Sequence, residues 1–260
     1  MNNNLAFIVT GAGVVLVDSG ASMLGAETIE SAIRAVTRQP VRWVINTGSQ
    51  DHRWLGNHYF KQRGATIIAF AATVETQRGF AAQHLERLER ILGDRYAGTL
   101  PAYADAPLPG ESAALELGGE VLQLMRTDAH FPGDSMVWIP RLRTAITGDM
   151  AYFDRIMGVH DWSSPANGLA AFRRMKALSP DHMTVIPGHG EPGDLAKAER
   201  DTGRYYEFLV DTVGKAAAEM EPLAEVIQNH ADMPEFMHLK HYGSWHRVNI
   251  SRTYLMLEGK

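Results

Sequence analysis

The sequence predicts a layered α/β domain made of two similar halves. Three observations lead there. Short apolar runs rich in β-branched residues alternate with stretches of helical periodicity, strand pairs head both halves, and several strands stop abruptly in polar clusters flanked by glycine. A chain of 260 residues can bury a sizeable core. No low-complexity stretch or linker divides it, so 1–260 is expected to form a single domain.

The first half opens with a hairpin over 5–10 and 14–17, turning at Gly11-Ala12-Gly13 and ended by Asp18-Ser19-Gly20. Between 26 and 37, Ile29, Ala32, Ile33 and Val36 share one helical face, and Gln39-Pro40 stops the run. A buried strand over 41–45 breaks at Asn46-Thr47-Gly48. A short helix to Phe60, a strand over 65–70 and a helix over 72–93 follow, the last with Leu85, Leu88, Ile91 and Leu92 as its buried stripe. The proline-containing stretch 97–110 reads as a surface connection.

In the second half, strands are expected over 113–117, 120–125, 135–139 and 144–147, then a loop over 149–165, a helix over 166–178 and a strand over 183–186. Leu195, Ala198, Thr202, Tyr205, Leu209 and Val213 recur at helical spacing, and 247–258 reads as a last helix.

Composition narrows the function. Net charge is -5 and the pI about 6.1, with no block of Lys or Arg, which argues against nucleic acid and anionic membrane as partners and leaves a small-molecule substrate. The longest apolar run, 65–74, falls well short of the ~18 residues that a membrane-spanning helix needs. With no cysteine, disulfides, thiolate nucleophiles and Cys-ligated zinc are excluded. Met1-Asn2-Asn3-Asn4 lacks the basic start of a leader, so the expected location is cytoplasmic, or periplasmic where a leader has been removed.

The chemistry gathers at strand ends. Gln50, Asp51, His52 and Arg53 crowd behind the 41–45 strand, and His130 opens a His-Phe-Pro-Gly-Asp segment. Asp149 follows Thr147-Gly148, and His189 stands between Gly188 and Gly190. Glycine beside a lone His or Asp lets the backbone turn sharply and aim that side chain at the sheet edge. Singly, each is more simply a helix cap, turn or loop residue. Together they make a nitrogen and oxygen donor set suited to zinc or iron. Ser49 lacks the Gly-x-Ser-x-Gly setting of a serine nucleophile. His160 to Ser164 lie in the loop after Asp149, a groove wall or a surface loop. His238, His241 and His246 read as surface or packing residues, with His246 a candidate to face the site, and Met233, Phe236 and Met237 as lid or core.

These segments, in this order, resemble the metallo-β-lactamase superfamily. The likeness covers nearly the whole chain: Val17-Asp18-Ser19-Gly20, the strand to Asn46, Leu55-Gly56-Asn57, His130 to Asp134, Thr147-Gly148-Asp149 and Pro187 to Gly190. The ending Arg247-Val248-Asn249 with Tyr254 is similar to members near the third subclass of β-lactamases and the quinoprotein relay metallohydrolases. The resemblance implies a four-layer αββα sandwich of two pseudo-repeated βα halves, with a metal site at one edge of the two sheets.

The first metal motif departs from the family's His-x-His-x-Asp-His. Counted back from Gly56-Asn57 without a gap, Arg53 stands on the last His, His52 on the Asp, Gln50 on the second His and Gly48 on the first. A one-residue bulge would align Asp51-His52 with Asp-His instead, at the cost of an insertion before Trp54. In the ungapped register the resemblance implies metal ligands among Gln50, His52, His130, Asp149 and His189. A guanidinium ~5 Å from a divalent ion would be repelled by roughly 7 kcal/mol at an effective dielectric near 20. One zinc, or iron, is therefore expected rather than two, with an empty site as the competing outcome. Asp51 or Asp149 is expected to orient or deprotonate a bound water, and Arg53 to pair with Asp51, fill the vacated place or hold a substrate carboxylate. The implied activity is metal-dependent hydrolysis of a β-lactam, lactone or thioester. The alternative is a non-catalytic relative that binds a small molecule or partner in the same groove.

Overall fold

A computed structural model describes residues 3–179 and 181–258. Met1 and Asn2, half of the segment examined for a leader, lie outside the described residues. Two sheets form. In the first, β1 (Ala6–Thr10), β2 (Gly13–Val17), β3 (Val41–Ile45) and β4 (Thr66–Ile68) lie side by side in that order. The second holds β5 (Ser112–Leu117), β6 (Glu120–Arg126), β7 (Ser135–Ile139), β8 (Thr144–Ile146), β9 (Thr184–Ile186) and β10 (Gly193–Asp194), again in sequential order.

Side-chain alternation turns these sheets into four layers. Along β2, Val15 and Val17 point into the space between the sheets, where they meet Leu122, Leu124, Val137, Ile139 and Ile146. Val14 and Leu16 point the other way, onto α1 (Met23–Val36) and its neighbours through Ala26, Ile33 and Phe60. The second sheet does the same: Met136, Trp138 and Ala145 pack against the outer helices. Strands buried on both faces read as unbroken apolar runs, which is why they were visible in the sequence. The outcome is the αββα sandwich that the resemblance implied.

The outer helices of the first sheet include α2 (Asp51–Trp54), α3 (Asn57–Lys61) and α4 (Ala71–Leu92). Over the second lie α5 (Pro165–Leu178), with Ser164 capping the Asn167 amide and Pro165 at its first turn, and a helical rod over 195–218. In that rod α turns α6 (Leu195–Ala198), α7 (Arg204–Glu207) and α8 (Gly214–Ala218) alternate with π turns at Glu199–Gly203 and Phe208–Val213. Two more helices, α9 (Leu223–Asn229) and α10 (Tyr242–Leu257), end the chain.

Several expectations shift. The first half does run from a hairpin into parallel strands through helical crossovers, whereas the second strings β5 to β8 antiparallel before its single parallel step to β9. The repeat is therefore one of layers more than of connections. The 97–110 stretch is irregular but not superficial, since Thr99, Ala102 and Ala104 are buried. Its carbonyl at Ala102 accepts Asn57 Nδ2 (2.9 Å), and Leu108 exchanges backbone bonds with Ala69 and Ala71. α10 begins at Tyr242, five residues earlier than its periodicity showed, and α9 was not anticipated. No described helix is long and apolar enough to cross a membrane.

Candidate functional site

The carboxyl ends of β2, β3, β6, β8 and β9 converge at one edge of the sandwich, where layered α/β folds gather ligands. Asp18 follows β2, the 46–53 segment follows β3, His130 follows β6, Asp149 follows β8 and His189 follows β9. Glycine makes the last of these turns feasible. Gly190 has φ +95°, and a Cβ there would stand 1.9 Å from the Phe153 carbonyl oxygen.

Arg53 is the hub. Its side chain is 1 % exposed and spends all five N–H groups inside the protein. Nε and one terminal nitrogen grip Asp149 bidentately, at 3.0 Å to Oδ2 and 2.6 Å to Oδ1. The other terminal nitrogen donates to Asp18 Oδ2 (3.1 Å) and to the Asn4 carbonyl (3.0 Å), and the fifth bond goes to the Gly188 carbonyl (3.1 Å). Asn4 is in turn held by Pro187 and Gly190, which its Nδ2 reaches at 2.9 and 2.6 Å. Two expectations are corrected here. Arg53 pairs with Asp18 and Asp149 rather than Asp51, and it has no donor left for a substrate carboxylate.

Around that pair stand two imidazoles. His52 Nε2 lies 3.3 Å from Asp149 Oδ2 and His189 Nε2 lies 3.2 Å from Asp149 Oδ1. The donor atoms of His52, Asp149 and His189 all fall within 4.8 Å of one another. The His52 contact is close but poorly aligned, and its buried Nε2 has no hydrogen-bond partner. On the opposite edge of that ring, Nδ1 meets Asp51 Oδ1 at 3.2 Å, and Arg87 grips the other oxygen of Asp51. Asp51 is fully buried and sits behind His52, outside the cavity that His52 and His189 line but on the edge of a neighbouring one with Gln50, His84 and Arg87.

The remaining expected ligands stay at the margin. His130 and Gln50 line a cavity of about 250 Å³ together with His52 and His189, yet stand outside the three-residue cluster. At Gly48, which the ungapped register puts on the family's first His, a Cβ would meet Asp134 Oδ1 at 2.6 Å. Asp134 accepts the Phe131 amide of its own loop at 2.8 Å and takes a backbone hydrogen bond from Ser49 of the other. His160 does line the cavity, 4.9 Å from the His130 ring. His246 does not: it is buried in α10, bonded to Tyr205 (3.0 Å) and to the His230 carbonyl (2.7 Å). Phe236 is core, while Met237 is exposed.

Charge is finely set. Burial alone would raise the Asp149 pKa, but Arg53 and His52 outweigh it and hold the carboxyl well below its usual range. Burial also works against charge on His52, and Asp149 with Asp51 reverses that, so its pKa is raised. At His130 burial wins and pushes the imidazole down to about 3; His189 is lowered for the same reason. Burial and the Asp149 charge raise the Tyr152 hydroxyl well above its usual value.

Asp18, Arg87, Tyr152 and Arg155 belong to this site and were not singled out from sequence. Asp18 carried a signal, since it ends a strand just before Ser-Gly, as Asp149 ends one just after Thr-Gly. A larger cleft of about 590 Å³ lies at the amino ends of β8 and β9, around Leu142, Lys176 and Thr184, away from the cluster.

Comparison with known proteins agrees with the geometry. A family model described as the metallo-beta-lactamase superfamily matches residues 1–189. Among solved structures, a metallo-beta-lactamase from Pontibacter korlensis is similar with a TM-score of 0.62 at 17% identity, covering 74% of this chain and 82% of that one. The stereoselective inverting sec-alkylsulfatase Pisa1 from Pseudomonas sp. aligns with a TM-score of 0.81 at 14% identity, over 98% of this chain and 47% of its own, so the chain spans about half the length of that enzyme. At such identities these structures speak to the fold alone, and the family model speaks to ancestry. This chain belongs to the metallo-β-lactamase superfamily.

Proposed function

We propose that this chain is a hydrolase acting on a carbonyl-type bond of a small molecule with one metal ion, held by His52, Asp149 and His189. The observation that carries the reading is the convergence of two imidazole nitrogens on one carboxylate, with His52 Nε2 buried beside Asp149 but in no well-aligned hydrogen bond. Two histidines and a carboxylate are a set that zinc takes in hydrolases, and they fit one ion. A second ion fits poorly: Gly48 offers no ligand, Gln50 only a neutral amide, and the Arg53 guanidinium lies against Asp149. When bound, the ion supplies Lewis acidity, acidifying water and polarising a carbonyl.

The surrounding residues have positioning parts. Asp51, fixed by Arg87, lies 3.2 Å from His52 Nδ1 and orients the ring so that Nε2 faces the cluster. Arg53 fixes the plane of the Asp149 carboxylate through its bidentate grip. Tyr152 stacks on His189 with ring centroids 5.1 Å apart and shields it from solvent. His130, neutral at ordinary pH, presents an uncharged imidazole to the cavity. β-Lactams, lactones and thioesters remain the substrate candidates, since one fold hosts many reactions.

The test is a hydrolysis panel of these three acyl-bond classes, run on wild-type protein, metal-stripped protein, zinc-reconstituted protein and His189→Ala. Turnover that falls on stripping, returns with zinc and is lost in His189→Ala supports the reading. Equal turnover in His189→Ala contradicts it. The second reading, a binder without catalysis, is favoured by Arg53 engaging both oxygens of Asp149, and absence of turnover across the reconstituted panel would support it.

A further inference from the structure

We infer that Asn4 is a positioning residue for His189, clamping the turn that carries this imidazole to Arg53 and so to the other sheet. The turn over 187–190 needs such a hold. His189 sits between two glycines, and Gly190 takes φ +95°, so the local backbone is freer than a histidine with one fixed bearing can tolerate. Asn4 bonds to that turn at each end and in the middle. Its Nδ2 donates to the Pro187 carbonyl (2.9 Å) and the Gly190 carbonyl (2.6 Å), and its backbone amide donates to the Gly188 carbonyl (2.9 Å). The His189 carbonyl accepts the Phe153 amide at 2.8 Å, which leaves no carbonyl of the turn unengaged.

The other end of the clamp is the segment after β3. The Asn4 carbonyl accepts from Arg53 (3.0 Å), and Asn3 Nδ2 reaches the His52 carbonyl at 3.2 Å. Residues 3 and 4 thus tie together the two backbone segments from which His52 and His189 converge on Asp149. Sheet pairing alone does not hold them there. The ladder between β1 and β2 starts with Ala6 opposite Val17, beyond Asn4. The chemistry at position 4 is also specific. Both partners of Nδ2 are carbonyl oxygens, so the amide must face them with its nitrogen, and a carboxylate of the same shape would set oxygen against oxygen.

The hydrolase reading enters here only in calling His189 a metal ligand; the clamp itself belongs to the metal-free chain. The experiment follows the histidine ring signals of the full chain by NMR, freed of metal with a chelating resin, at about pH 8, where an ordinary imidazole is neutral. The His189 signal is identified by its loss in His189→Ala. Tyr152 stacks on that ring, with centroids 5.1 Å apart and planes 17° apart, and shifts its signal upfield, so Tyr152→Leu marks the unstacked position. Asn4→Ala and Asn4→Asp remove the two side-chain bonds and keep the main-chain ones. Both are expected to move the His189 signal toward the unstacked position and leave the signals of histidines remote from the turn in place. A residue that only stabilised the fold would lower the urea midpoint without moving that signal in the folded protein. An unmoved His189 signal in both variants overturns the inference, and so does an equal movement of all histidine signals. Zinc affinity, measured by competition with a chromophoric chelator, is expected to fall about tenfold in Asn4→Ala, the scale of losing a contact behind a ligand. Affinity equal to that of a zinc-binding wild type overturns the inference as well. A wild type that takes up no zinc counts against the hydrolase reading alone, because the His189 signal still decides the clamp.

Discussion

Arg53 is a large cation in a place where its charge is wholly enclosed, and removing it leaves two buried carboxylates facing each other. Taking one partner from a buried pair costs about 3–5 kcal/mol, because the remaining charge has neither solvent nor counter-charge. Arg53→Met is therefore expected to lower unfolding free energy by about that amount in urea titration. Arg53→Lys should recover only part, since an ammonium cannot reproduce the bidentate grip on Asp149. An unchanged midpoint in Arg53→Met would show that the pair is not formed. His130 gives a pH signature. Its folded pKa, about 3, lies below the ordinary 6.5, so below pH 6.5 the unfolded chain binds a proton that the folded chain refuses. Stability attributable to this residue is full above pH 6.5 and falls by about 1.4 kcal/mol per pH unit below it, down to about pH 3. His130→Gln should lose correspondingly less stability than the wild type between pH 7 and pH 5, measured by urea denaturation at each pH.

At the scale of elements, the site depends on turns that bring distant strand ends together. Gly190→Ala would place a Cβ 1.9 Å from the Phe153 carbonyl at a positive φ, and His189 sits next to it. That variant is expected to lose at least about 2 kcal/mol, read as a lower urea midpoint, whereas Gly64→Ala at a similar φ but in open space should lose less. Strands were legible because β2 and β7 are apolar on both faces, and the polar clusters were legible because they interrupt such runs. Arg53's true partners were not. Asp18 and Asp149 lie 35 and 96 positions away, and no local pattern reports a pairing made by sheet order. α9 escaped notice because Val226 is its one fully buried residue, too little for a periodic stripe. The 97–110 stretch misled in the opposite sense: three prolines mark irregular backbone, but irregular backbone can be buried when its carbonyls find partners such as Asn57.

For the whole molecule, the sandwich supplies a rigid floor and the strand ends supply the donors. Where the ungapped register puts the superfamily's first metal motif, Gly48 is closed off by Asp134 and the Arg53 guanidinium lies on Asp149. Among the described residues one set stays available, His52, Asp149 and His189. Metal content per chain tests this most directly, measured by elemental analysis on protein purified without chelator and reconstituted with zinc, beside His189→Ala. The account predicts about one ion per wild-type chain and a clear loss in the variant. Two ions per chain would mean that Arg53 does not hold the second place, and none after reconstitution would mean that the guanidinium has replaced the metal altogether; either result contradicts the single-ion site.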